Sequence, residues 1–214
     1  MDQSRYEQLS ETEERIFAAA LTVFAEHGRE GARMQDIADA AGINKALVHY
    51  YFRSKDRLYE EVFAYILRKF FSMLTEALKP ADRFEDVLRI FVSNYIDMLR
   101  EHGNIARFVL HEVSMGAPVF RQRMQAAMQT DPLNPPTLLV AAIERARTSG
   151  EIRDVDPLQT LITIVSACVF FFLSFPIMSA IFPEMEVRRD ELIEQRKQHV
   201  FDLIYNGLAT RRTA

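Results

Sequence analysis

Glycine is scarce in this chain. Seven glycines in 214 residues is under half the usual share of about 7 %, and Asn-Gly or Asp-Gly turn signals are few. That composition excludes a fold of many hairpins and points to long helices. Cysteine is nearly absent as well. The lone Cys168 rules out an intramolecular disulfide framework and a cysteine-built zinc site. Excess positive charge is missing too: 26 Lys and Arg against 30 Asp and Glu give a formal net charge of −4. Any nucleic-acid binding therefore has to come from a local patch, because no global basic field exists. The start, MDQSRYEQLSETEER, has no apolar h-region and no Arg-rich, acid-poor character, which predicts a cytoplasmic protein.

The constellations that enzymes need are also lacking. No glycine-rich phosphate loop occurs, and the five histidines (27, 49, 102, 111 and 199) show no metal-ligand spacing. The stretch His111-Glu112-Val113-Ser114-Met115 places Met where a zinc-protease motif requires its second His. Cys168 sits in an apolar run, where a thiol stays protonated and inert. No nucleophile, base and orienting group can be assembled. The expectation is a protein that is not an enzyme, with no metal and no cofactor.

What is present reads as helix. Apolar residues at 49 % and charged residues at 26 % match globular averages and exclude a disordered chain. The length fits one large domain or two small ones. Ser10 and Glu13 have capping-box spacing, followed by Ile16, Phe17, Ala20, Val23, Phe24 and His27 at helical intervals up to Gly28. Met34, Ile37, Ala38 and Ala41 mark the face of a short helix; Gly42 supplies a left-handed turn, and Asn44 caps KALVHYYF. Ser54 then caps a helix running to Lys79, before Pro80. Further helices are predicted from Asp82 to about Arg100, from a cap at Asn104 to Ser114, from Ala117-Pro118 to near Asp131-Pro132, and from Asn134-Pro135-Pro136 to Gly150. Two more are predicted from Pro157, capped by Asp156, and from about Glu186, with Val187, Ile193, Val200, Ile204 and Leu208 on one face. The prediction is an all-α fold of about nine helices.

One run interrupts this soluble pattern. Leu161 to Phe182 carries no charge and is long enough to cross a bilayer. The Asp156-Pro157 start signal, the scattered Thr160, Thr163, Ser166, Ser174 and Ser179, and the lack of an aromatic-plus-basic anchor at both ends favour a helix buried in an interface instead. A membrane-associated or protein-interaction adaptor using residues 161–182 remains the alternative reading.

Met34 to Phe52 has helix-turn-helix spacing. Ile43, Val48, Tyr51 and Phe52 would anchor the second helix against Phe24, Ile37 and Ala38. Lys45, Ala46, His49 and Tyr50 then share the opposite face, suited to a major groove. From Gly42 to Arg57 four basic residues (Lys45, Arg53, Lys55, Arg57) meet one acid, Asp56, and a helix start at Ser54-Lys55 is a ready phosphate site.

Residues 12–63, above all MQDIADAAGINKALVHYYFRSKDRLYEEVF, resemble the DNA-binding end of a TetR-type transcriptional regulator. The likeness rests on D-I-A-x-x-A-G from Asp36 to Gly42, on Tyr51-Phe52, and on Ser54-Lys55. It implies a homodimer with three N-terminal helices on DNA (residues 1–55) and a larger effector-binding and dimerisation domain (56–214). By the same resemblance, Lys45, Ala46, Leu47 and His49 fall where base edges are contacted. Arg33, Tyr50, Tyr51 and Lys55 fall where phosphates are contacted. Arg33 departs from the usual Thr or Ser cap of the second helix, and Leu47 from a small or polar residue, so Leu47 is open between thymine-methyl contact and core. His49 is likewise open between base contact and an ordinary exposed histidine, and Tyr51 and Phe52 suit core packing as well. The expected function is a homodimeric repressor on a near-palindromic operator, released by a small apolar or amphipathic effector. The helices near 157–181 and 186–209 would pair as a four-helix bundle without any membrane. Phe63, Met73, Tyr95, Phe108, Met115, Met124, Phe170 and Phe171 could line an effector pocket, with His111 and Glu112 as polar handles.

Overall fold

The computed structural model describes residues 10–78, 83–116, 118–130 and 134–210. Among them the fold is all-α, and the only extended pairing is an isolated antiparallel bridge between Ile152 and Ala209. The helices are α1 (Glu11–Gly31), α2 (Met34–Ala41), α3 (Lys45–Phe52), α4 (Lys55–Leu78), α5 (Phe84–Glu101), α6 (Gly103–Ser114), α7 (Pro118–Thr130), α8 (Pro135–Thr148), α9 (Pro157–Ile181), α10 (Glu184–Val187) and α11 (Arg189–Leu208).

Packing gathers these into two compact units. One comprises residues 1–69 and 104–129, the other 70–103 and 130–214. The sequence leads to an expected division by role at 55/56; by compactness the line falls inside α4, with α6 from Asn104 onward and α7 up to Gln129 in the first unit. That unit has its own core. Ile16, Phe17, Ala20 and Phe24 of α1, Ile37 and Ala38 of α2, and Val48 and Phe52 of α3 are buried together with Leu58, Tyr59 and Val62 of α4 and Phe108 of α6. The Phe24 and Tyr59 rings meet edge-on with centroids 4.8 Å apart, and Phe108 lies 5.0 Å from Tyr59 and 5.8 Å from Phe63. The second unit is centred on α5, which packs against α8, α9 and α11 through Leu88, Phe91, Val92 and Ile96.

Side-chain caps account for five of the eleven helix starts among the described residues. Ser10 and Glu13 form the capping box, with Ser10 Oγ accepting from Glu13 N–H at 3.3 Å and Glu13 accepting from Ser10 N–H at 3.0 Å. Asn44, Ser54, Asn134 and Asp156 each accept a first-turn N–H of the helix that follows. Three expectations are corrected. Asn104 caps nothing: α6 begins at Gly103, and the Asn104 amide donates instead to Thr22 Oγ1 at 2.9 Å. The last helix does not start at Glu186, because the chain makes the single turn α10 and restarts at Arg189. Val187 falls in that turn, 90 % exposed, rather than on the buried face of α11. Gly28 breaks the regular helix as expected, with φ 66 and ψ 177, but another turn follows to Gly31. Lys79, Pro80, Asp82, Ala117, Asp131 and Pro132 lie outside the described residues.

Candidate nucleic-acid interface

The turn between α2 and α3 is built by backbone chemistry. Gly42 ends α2 at φ 63, ψ 38, donating its N–H back towards Ala38 and Asp39 carbonyls; a side chain there would pay the left-handed penalty of about 1 kcal/mol or more. Among α2's last residues there is no basic side chain. Arg15 of α1 supplies that charge from elsewhere, its Nη2 donating to the Ala41 carbonyl at 2.6 Å. The guanidinium thereby satisfies an end-of-helix carbonyl and ties the turn to α1. Nothing in the local sequence around residue 42 announces this contact.

On α3, Val48 and Phe52 are fully buried while Lys45, Ala46, Leu47, His49 and Tyr50 are exposed. The split follows helical periodicity. Tyr50 is the most open of the large side chains here, at 77 %. Leu47 is 37 % exposed and therefore lies on the outer face rather than in the core. Tyr51 is half-buried and packs between the Tyr50 and Phe52 rings. Arg33 is exposed at the start of α2 and makes no capping hydrogen bond, as its departure from Thr or Ser anticipates.

Two acids at the start of α4 are paired with bases. Asp56 pairs with Arg29 at 3.0 Å and Glu61 with Arg57 at 3.4 Å. The Lys55 ammonium donates to the Glu30 carbonyl at 3.1 Å, so it sits at the junction of α1 and α4. The N–H groups of the first turn of α4 open beside it, with Ser54 Oγ accepting one from Arg57 at 3.2 Å.

The residues expected to line an effector pocket divide between the units. In the first, Phe63 and Phe108 are core rings, Met124 is half-buried and Met115 is 62 % exposed. Glu112 is buried and accepts from the Tyr59 hydroxyl at 2.8 Å. Burial, then this hydrogen bond, pushes the Tyr59 phenol well above its ordinary value. The His111 imidazole lies over Gly28, where a Cβ would overlap it. Glu112 therefore has its partner within the unit, and the His111 ring packs on the Gly28 backbone. In the second unit, Tyr95 packs edge-on to Phe70 at 4.8 Å, Phe171 packs against Phe172 and Phe175, and Met73 and Phe170 are exposed. A shallow hollow of about 390 Å³ lined by Arg147, Asp154, Val155, Asp156 and Pro157 contains none of the ten. Among the described residues no group of His, Cys, Asp and Glu could hold a metal ion.

An α2–turn–α3 pair seated on a buried three-helix core, with α3 turning Lys, His and Tyr outward, defines a helix-turn-helix DNA-binding protein. The comparisons agree. The family profile described as "Bacterial regulatory proteins, tetR family" matches residues 16–62, and that described as "Tetracyclin repressor-like, C-terminal domain" matches residues 85–204. The chain belongs to the tetR family of bacterial transcriptional regulators, a non-enzymatic family. It is 25 % identical over 210 residues to the HTH-type transcriptional regulator RutR of Escherichia coli (strain K12), covering 97 % of this chain and 95 % of that one. It is 30 % identical over 171 residues to the HTH-type transcriptional repressor SCO4008 of Streptomyces coelicolor, covering 79 % and 82 %. Among solved structures, a transcriptional regulator from Saccharomonospora viridis in complex with choline superposes with a TM-score of 0.71 at 20 % identity, covering 95 % of this chain and all of that one.

Proposed function

We propose that the protein is a cytoplasmic, homodimeric repressor that binds a near-palindromic operator and is released by a small apolar or amphipathic effector. The observation that carries the dimer is the outer face of α9. Leu158, Ile162, Phe170, Ile177 and Ile181 are each half or more exposed along a 25-residue helix without a charge, and Leu203 of α11 is 68 % exposed. Such a stripe is self-complementary, so a second copy buries it about a two-fold axis. By length and composition α9 could also cross a membrane; pairing is preferred because Asp156 caps its start in the manner of a soluble helix.

Two copies of α3 about one turn of duplex apart, roughly 34 Å, would read two half-sites. Lys45, Ala46, Leu47 and His49 are proposed for base edges, and Arg33, Tyr50, Tyr51 and Lys55 for phosphates. The repressor reading is supported by SCO4008, which is named as one. The choline complex is a protein of this fold holding a small ligand. An effector that favours one arrangement of the C-terminal helices could alter operator affinity by the usual coupling of about 1–3 kcal/mol.

The test is selection of duplexes from a random pool by the purified protein, coupled to sedimentation without detergent. A soluble dimer that enriches an inverted repeat is the expected result. Pelleting with lipid, or a monomer with no sequence preference at any salt concentration, overturns the reading.

A further inference from the structure

His49 faces outward on α3, yet one of its two ring nitrogens is already engaged within the chain. Nδ1 lies 3.3 Å from the carbonyl oxygen of Arg53, one turn further on. A carbonyl only accepts, so in this contact Nδ1 carries the hydrogen. In a neutral imidazole Nε2 is then a lone-pair acceptor.

The carbonyl is itself held in place. Arg53 sits at φ 57, ψ −41, and the Ser54 N–H donates across it to the Phe52 carbonyl at 2.6 Å. This is a γ-turn of the rare positive-φ form, the kind of strained backbone that persists where its surroundings demand it. The Arg53 N–H donates to the His49 carbonyl at 2.9 Å. Main chain and side chain of His49 thus close reciprocally on Arg53, and Nε2 is the ring nitrogen that this contact leaves over on an exposed side chain.

We propose that His49 reads the operator as a hydrogen-bond acceptor through Nε2, and that its partner is an exocyclic amino group in the major groove, N6 of adenine or N4 of cytosine. Guanine N7 and O6 and thymine O4 are acceptors and would meet a lone pair. This inference rests on the proposal that α3 lies in the groove with His49 at base edges, and it adds the chemical sense of the contact. Lys45, one turn earlier on the same face, offers only donors, so the two side chains ask for opposite groups from the duplex.

The experiment uses the full chain at pH 8. Operators are selected with the wild type and with His49→Ala, an exposed substitution that leaves the core intact. At the position the variant no longer discriminates, single atoms of the DNA are changed: adenine to purine or cytosine to 2-pyrimidinone removes the amino group, and 7-deaza-purines remove N7. The expected result is that amino removal weakens the wild type about fivefold more than it weakens His49→Ala, while 7-deazapurine substitution weakens both alike. Coupling of His49 to N7 instead, or to neither atom, overturns the proposal while leaving His49 at the base edge. Identical sites selected by both proteins show that His49 contacts no base, which removes the underlying reading as well.

Discussion

Tyr59 and Glu112 stand 53 residues apart and share a buried hydrogen bond of 2.8 Å, whereas Lys55 spends its ammonium on a main-chain carbonyl at the surface. The two cases separate what a side chain does for the fold from what it is free to do for DNA. Lys55 keeps two further hydrogens and lies beside the open first turn of α4, so Lys55→Ala should weaken binding to every duplex alike. The slope of log affinity against log salt should fall by about one, measurable by fluorescence anisotropy over a potassium chloride series. An unchanged slope would assign Lys55 to the α1–α4 junction alone. Cys168 gives a prediction of a different sort. Burial pushes its thiol from an ordinary 9.0 up to about 12, with Arg196 pulling weakly the other way. Between those values the folded chain holds a proton that the unfolded chain has released. Its contribution to stability is therefore complete below pH 9 and declines as pH rises towards 12, by up to about 1.4 kcal/mol per pH unit. Urea midpoints across that range should fall less steeply in Cys168→Ala, and the native thiol should resist alkylation at pH 8.

At the scale of the helix, the chain's local grammar was legible and its long-range ties were not. Ser10, Asn44, Ser54, Asn134 and Asp156 act as caps because a cap needs only a short side chain and the next three residues. Asn104 has the same chemistry but finds Thr22, 82 residues earlier, and no window around it reveals that competitor. Arg15 on the Ala41 carbonyl was invisible for the same reason. The alternation of buried and exposed positions on α3 was legible from spacing alone, while the γ-turn at Arg53, which aims His49, has no glycine to mark it. Gly28 offers a test of one such tie. Its positive φ and the His111 ring over it are separate obstacles to a side chain. Gly28→Ala should cost more than the strain of about 1–2 kcal/mol expected from backbone alone. Adding His111→Ala should return the excess and leave the strain, a coupling readable in a denaturation double-mutant cycle.

For the whole molecule, the uncharged run from Leu161 to Phe182 buries Ile164 and Cys168 in the core of the second unit and leaves an apolar outer face, which a second copy would cover. Phe170→Asp with Ile177→Asp replaces two side chains that are 64 % and 63 % exposed, so each subunit should keep its helical circular dichroism. Sedimentation should show a monomer, and operator binding should drop towards the non-specific level, about a thousandfold or more weaker. A stable dimer from this variant would move the interface elsewhere. The boundary between the units has another outcome. The core under α3 is completed by Phe108 and the buried Glu112, which are supplied by a segment ending at residue 129. During synthesis the helix-turn-helix leaves the ribosome early but waits for more than half of the chain before its last wall arrives. A fragment stopped at residue 69 would keep the reading helix and lack the wall, with the Tyr59 hydroxyl and the Phe24 ring turned towards water.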